Sequence, residues 1–172
     1  EFGHPEWIDF PREGNGWSYH YARRQWHLRD NPNLVYHFLA AFDKAMIELA
    51  RIARLPDGQP AHLCLEHNDN KLLGFERAGL LLLFNFHPTR SYPDYPVATA
   101  PGTYRLALDS DAACYGGYSR LTPEQEYFAN PENDGHFWIK AYLPARTALV
   151  LKKTTQPPTK PRKTKKRRVQ PK

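Results

Sequence analysis

Apolar residues recur at three- and four-residue steps along one stretch of the chain: Leu34, Phe38, Phe42, Ala45, Met46, Leu49, Ile52 and Ala53. That spacing lines one face of a helix, and Asp43, Lys44, Glu48 and Arg51 fall off it. Asn31-Pro32 offers a cap and a first helical residue, and Pro56-Asp57-Gly58 a stop, so a helix is predicted over 33–54. At roughly 1.5 Å per residue it would be about 33 Å long and would have to pack on something large. Beyond Gly58 the period changes to that of strands. Lys71–Glu76 and Gly79–Phe86 flank a short Arg77-Ala78-Gly79 turn, which reads as a hairpin, and the apolar run Leu80–Phe84 reads as a central strand buried on both faces. Thr103–Asp109 alternates cleanly; Phe137–Leu143 and Thr147–Leu151 read as a second pair around Pro144-Ala145-Arg146. No helical pattern separates these segments, so an antiparallel all-β sandwich is predicted, with 112–135 as a long connection.

The ends of the chain have a different character. Residues 1–30 hold Phe2, Trp7, Phe10, Trp17, Tyr19, Tyr21 and Trp26 among Gly3, Pro5, Pro11, Gly14 and Gly16. That mixture reads as an ordered irregular loop closing in a helical turn near Tyr21–Leu28. An aromatic-rich start without an initiating Met fits a sequence that begins inside a larger fold, or a processed or recloned terminus. From Lys152 onward Pro, Thr, Lys and Arg prevail, and a disordered basic tail over 152–172 is expected. The tail explains the charge: it holds ten of the 24 Lys and Arg, leaving residues 1–151 with fourteen basic against eighteen acidic residues, a net of −4. A cationic tail meets polyanions in a salt-sensitive way, but the acidic body makes a solvated extension the better reading and nucleic acid an unlikely partner. No apolar run approaches the roughly 20 residues of a membrane span, so no membrane partner is expected. Cys64 and Cys114 are too few for a disulfide framework, which favours a reducing compartment.

Three groups of residues carry candidate chemistry. The opening loop concentrates Glu1, Glu6, Asp9, Glu13, His4 and Arg12 beside the broad faces of Trp7 and Trp17. Aromatic planes cover the C–H faces of sugars, and carboxylates, His and Arg bond their hydroxyls, so the loop fits a polysaccharide site; it equally fits an aromatic cluster whose charges pair internally. A glycosidase pair among these acids would need a separation of roughly 5–5.5 Å or 6.5–9.5 Å. Asp109-Ser110-Asp111 could hold the metal of a nucleotide-sugar transferase, but surface turn residues are the better reading. The eight histidines form no metal-ligand spacing, and no cofactor is expected.

Residues 1–12, Glu-Phe-Gly-His-Pro-Glu-Trp-Ile-Asp-Phe-Pro-Arg, resemble the end of the barrel domain in 1,4-α-glucan branching enzymes of the α-amylase superfamily (glycoside hydrolase family 13). The resemblance continues through 17–26, 38–46, 75–79, 84–88, 104–111 and 143–149, leaving only the tail uncovered. It implies a mixed architecture: the last loop and helix of a (β/α)₈ barrel over 1–56, then the C-terminal all-β domain over 57–151. It implies cleavage of α-1,4-glucan and transfer of the freed segment to a 6-hydroxyl, by a retaining mechanism, in glycogen or starch biosynthesis. The family's catalytic carboxylates lie on earlier strands and none of their motifs occurs here, so the fragment would be inactive alone. Glu1, His4, Glu6, Trp7, Asp9, Arg12 and Trp17 would shape or support the glucan groove. The partners implied are α-glucan and the absent N-terminal barrel; the location implied is cytoplasmic, or plastid in a plant. A stand-alone glucan-binding module is the alternative. Without its barrel, the helix would leave Leu34, Phe38, Phe42, Met46 and Leu49 uncovered.

Overall fold

A computed structural model describes residues 2–132 and 135–154; Glu1 and the tail beyond residue 154 lie outside the described residues. Two helices, α1 (Trp26–Asp30) and α2 (Tyr36–Ile52), precede nine strands: β1 (His62–His67), β2 (Leu72–Arg77), β3 (Leu80–Asn85), β4 (Tyr92–Thr99), β5 (Thr103–Asp109), β6 (Glu126–Phe128), β7 (Asn130–Pro131), β8 (Phe137–Leu143) and β9 (Thr147–Thr154). All pairings are antiparallel, in a six-stranded sheet of order β1-β2-β3-β9-β5-β6 and a three-stranded sheet of order β4-β8-β7.

The two sheets face each other across one core. Leu81, Leu83, Tyr104, Leu149 and Leu151 enter it from the larger sheet, and Val97, Ile139, Ala141 and Leu143 from the smaller. Each set comes from alternate positions of its strands, as the pleat requires. The continuous apolar run of β3 has the expected cause. Leu81 and Leu83 fill the space between the sheets, while Leu80 and Leu82 point the other way and meet α2.

Several segments depart from the sequence reading. The strands β8 and β9 do not pair: β8 lies between β4 and β7, and β9 between β3 and β5. Pro144 is fully buried and Ala145 nearly so; Asn85 donates to Leu143 O, and Ala145 N–H to Ser91 Oγ. These bonds anchor the connection inside the sandwich, where it crosses between the sheets. The strand β9 also continues three residues past Leu151: Lys152 and Thr154 pair with Leu80 and Thr103, so the all-β unit ends at 154 and the basic segment begins later than 152. The connection 112–135 contains β6 and β7.

The long helix starts at Tyr36 rather than 33, because Asn31 serves elsewhere. Its N–H closes α1 on His27 O, and its side chain accepts the N–H of Asn33 in a turn. The helix is not bare on the face predicted to be uncovered. Phe42, Ala45, Leu49 and Ala53 pack on Leu80, Leu82, Leu108 and Val150, on the outer side of the larger sheet. Met46 remains exposed, with Val35, Leu39 and Ile47. Two more contacts fix the helix: Tyr115 stands edge-on to Phe42 at 5.3 Å, and Gly116 lies against Phe38, where a Cβ would approach to 2.9 Å.

Candidate functional site

The opening loop sits on the far side of α2 from the sheet. Phe2, fully buried, anchors it against Trp26 (5.2 Å) and Tyr36 (6.4 Å). His4 is a staple. Its Nε2 accepts the N–H of Gln25 at 3.2 Å, and its Nδ1 lies 3.1 Å from Glu6 O and 3.3 Å from Glu6 N. The imidazole therefore engages both nitrogens, Nε2 joining the chain start to Gln25 before α1 and Nδ1 bonding within the loop.

Asp9 and Arg12 pair with each other at the surface. Arg12 donates through Nε (3.1 Å) and a terminal nitrogen (3.2 Å) to the two carboxylate oxygens of Asp9, and Asn15 Nδ2 adds a third bond at 3.1 Å. Arg12, then Asn15, hold the Asp9 carboxyl below the usual carboxylate range. Asn15 completes the brace: its Oδ1 accepts the Arg12 N–H, and its Nδ2 also reaches Phe10 O. Sequence reasoning passed over Asn15; the Asp-X-X-Arg-X-X-Asn spacing was the available signal. The chain then reverses through Gly16 and Trp17, both left-handed (φ 63° and 59°). A tryptophan there is costly, and the Trp17 N–H bond to Arg12 O helps to hold it.

The brace leaves the aromatic rings outside. Trp7 is 78% exposed and Trp17 66%, with Phe10 and Tyr19 equally open. The Glu6 side chain is exposed and accepts no hydrogen bond among the described residues. Of the predicted residues, then, Glu6, Trp7 and Trp17 face solvent with free surfaces, His4, Asp9 and Arg12 build the loop that presents them, and Glu1 falls outside the described residues. Exposed rings and a free carboxylate on one loop can stack on and hydrogen-bond a polyol.

Comparison with known proteins decides the kind of domain. The family model described as the α-amylase C-terminal all-β domain matches residues 63–154, from the second residue of β1 to the last of β9. The chain belongs to that family. The α-amylase C-terminal all-β domain here continues, together with the helical segment before it, into similarity with longer proteins. The chain is 48% identical over 160 residues to a protein of Felis catus named 1,4-alpha-glucan-branching enzyme, covering 91% of this chain and 23% of that one. A protein of the same name from Rhizophagus irregularis is 48% identical over 154 residues (88% and 22%), and one from Dictyostelium discoideum 44% over 156 (89% and 23%). The chain thus spans about a quarter of the length of the curated relatives it matches.

Within the all-β domain, Asp109-Ser110-Asp111 is structural but not at the surface as expected, since both aspartates are buried. Asp111 is buried and receives Arg120 through both oxygens (2.8 and 2.9 Å), as well as the N–H groups of Tyr118 and Arg120. Arg120 holds its carboxyl below the ordinary range, whereas burial pushes that of Asp109 up. Asp109 accepts the Asp111 N–H, and Ser110 Oγ accepts that of Ala148. Among the described residues no group of three or more His, Cys, Asp or Glu could hold a metal ion.

Proposed function

We propose that this chain is the C-terminal part of a 1,4-α-glucan branching enzyme of glycogen or starch biosynthesis. Its relatives of that name support the reading over about nine-tenths of the chain. The observation that carries it to a site is the braced opening loop, on which Trp7, Trp17 and the free Glu6 are all exposed to solvent. In this reading residues 1–56 close a (β/α)₈ barrel whose remainder precedes the chain, and the loop forms one wall of the glucan groove.

In the parent reaction a carboxylate displaces the 4-oxygen of an α-1,4 bond, forming a glycosyl-enzyme as a second carboxyl protonates the leaving oxygen. That group then takes the proton of an incoming 6-hydroxyl, which attacks the sugar carbon and releases the nucleophile. This chain contributes neither carboxylate. Trp7 and Trp17 offer faces to glucosyl rings, Glu6 accepts their hydroxyl protons, and Asp9, Arg12 and Asn15 keep the loop in one shape. With this goes a cytoplasmic location, or a plastid in a plant, in keeping with the two free cysteines.

The test joins this chain to the polypeptide encoded upstream and follows the iodine spectrum of amylose. The parent is expected to shift the spectrum and the isolated chain to leave it unchanged. Trp7→Ala and Trp17→Ala in the parent are expected to raise the amylose KM several-fold with a smaller change in kcat. An inactive parent, or tryptophan variants with an unchanged KM, would overturn the proposal. Glycogen binding by the isolated chain, lost in Trp7→Ala, with an inactive parent, would favour a separate glucan-binding module.

A further inference from the structure

The helix α2 covers only part of the outer side of the six-stranded sheet. One row of cross-strand neighbours there runs Leu63, Phe75, Leu82, Val150, Leu108, and a second runs Leu73, Phe84, Ala148. Side chains of paired residues share a face, and Leu82, Val150 and Leu108 are the ones packed against the helix. The other end of the rows is bare. Leu63 and Phe86 are exposed, 60% and 61%, and Leu73, Phe75 and Phe84 are half-buried. Three rings line up across this end: Phe75 and Phe84 lie 5.8 Å apart and Phe84 and Phe86 5.7 Å, the last two within 3° of parallel.

The segment that carries Phe86 is firmly built. Its N–H bonds Lys71 O. Asn85, buried, donates to Arg90 O and Leu143 O and accepts the His87 N–H. His87 Nδ1 in turn accepts the N–H groups of Thr89 and Arg90. A loop held by this many bonds, yet ending in a ring turned to water, presents that ring rather than losing it to disorder.

We propose that this ledge, Leu63, Leu73, Phe75, Phe84 and Phe86, is the docking surface for the polypeptide that precedes this chain in the longer protein, alongside α2. This rests on the functional reading above. Two observations select that occupant. The ledge is continuous with the face that α2 already covers, and the relatives carry about three-quarters of their length outside the matched part. The side chains of the ledge are hydrocarbon throughout and have no donor or acceptor for a sugar hydroxyl, which argues against glucan.

The experiment places a thiol at the ledge by Phe86→Cys in a Cys114→Ser background and measures its rate of alkylation by iodoacetamide. In the longer protein the rate is expected to fall at least tenfold relative to the isolated chain. Amide exchange at 84–88 in both unmutated proteins is expected to slow in parallel, and it reads the same surface should the variant not fold. Equal rates in the two proteins would overturn the proposal. So would protection in the isolated chain, whether produced by maltoheptaose (a glucan platform) or lost on dilution (a contact between copies). Branching activity is measured on the same preparations: protection without activity fails the functional reading alone, and activity without protection fails the ledge alone.

Discussion

Replacing Arg120 by Met tests how the loop after β5 is held. The Asp111 side chain is 5% exposed and that of Arg120 31%, with two charge-assisted bonds between them and a further one from Arg120 to Ala145 O at 3.2 Å. Removing one partner of a buried pair costs about 3–5 kcal/mol, since the survivor keeps its desolvation and loses its counter-charge. Asp111 retains the N–H groups of Tyr118 and Arg120, at 3.3 and 3.1 Å, so the lower end applies, about 3 kcal/mol. The Met stem still covers Tyr118, over whose ring the guanidinium lies at 5.5 Å, so the measured loss is mainly electrostatic. At about 2–4 °C per kcal/mol for a chain of this size, Tm falls by roughly 6–12 °C. Urea titration followed by circular dichroism should show a lower midpoint with an unchanged slope. The loss should also depend on pH. The folded Asp111 carboxyl titrates below its ordinary value of 3.8 because of Arg120, so its contribution is complete above about pH 4 and lost as pH falls through the folded value. The gap between wild type and variant should therefore narrow in acid. A variant within about 0.5 kcal/mol of wild type from pH 5 to 8 would refute the reasoning.

Three further outcomes are expected. Asp109→Asn keeps the acceptor for the Asp111 N–H but removes a charge that burial disfavours. Since the folded carboxyl titrates above 3.8, the variant should be the more stable at pH 7 and lose that advantage as acid protonates the wild type, as read by urea midpoints across pH. Cys114 is exposed, whereas burial, then Glu76, pushes the Cys64 thiol up to about 12, so a thiol reagent at pH 8 should titrate one cysteine in the native chain and two in denaturant. Leu49→Ala opens space between α2 and the sheet and should cost about 2 kcal/mol in the same urea assay; no change would mean that the helix is not seated there.

The bounds of β5 and β8 match the sequence reading, but the clean alternation expected of β5 breaks: its register against β9 shifts between Leu106 and Leu108, so Tyr104 and Leu106 face the core between the sheets while Leu108 turns to α2. The strand β4 gave no such signal. Pro93 and Pro96 interrupt it, and it exists because it is an edge strand, with the pairing register shifting between Tyr92 and Tyr95 beside the left-handed Asp94. The false hairpin of β8 and β9 has a different origin. Two apolar segments three residues apart look alike whether they pair or cross, and only the burial of Pro144 and the reach of Asn85 from 58 residues away separate the cases. The opening loop was legible in composition and not in role. Its charges fitted either a sugar or one another; Asp9 and Arg12 pair and His4 bonds the backbone, while the rings and Glu6 stay exposed and, among the described residues, unbonded. The cover that the sheet gives to Phe42 and Leu49 was invisible because it depends on residues some 30 to 100 positions further along.

The position of β9 has a consequence for assembly. It is the last strand in chain order among the described residues, yet it is the seam of the larger sheet, with β1-β2-β3 on one side and β5-β6 on the other. During synthesis those two halves emerge with nothing to join them, each showing an open flank of main-chain groups until residues 147–154 leave the ribosome. A premature stop ahead of Thr147 would therefore do more than trim an end: it would leave two incomplete ribbons and a sandwich that never closes.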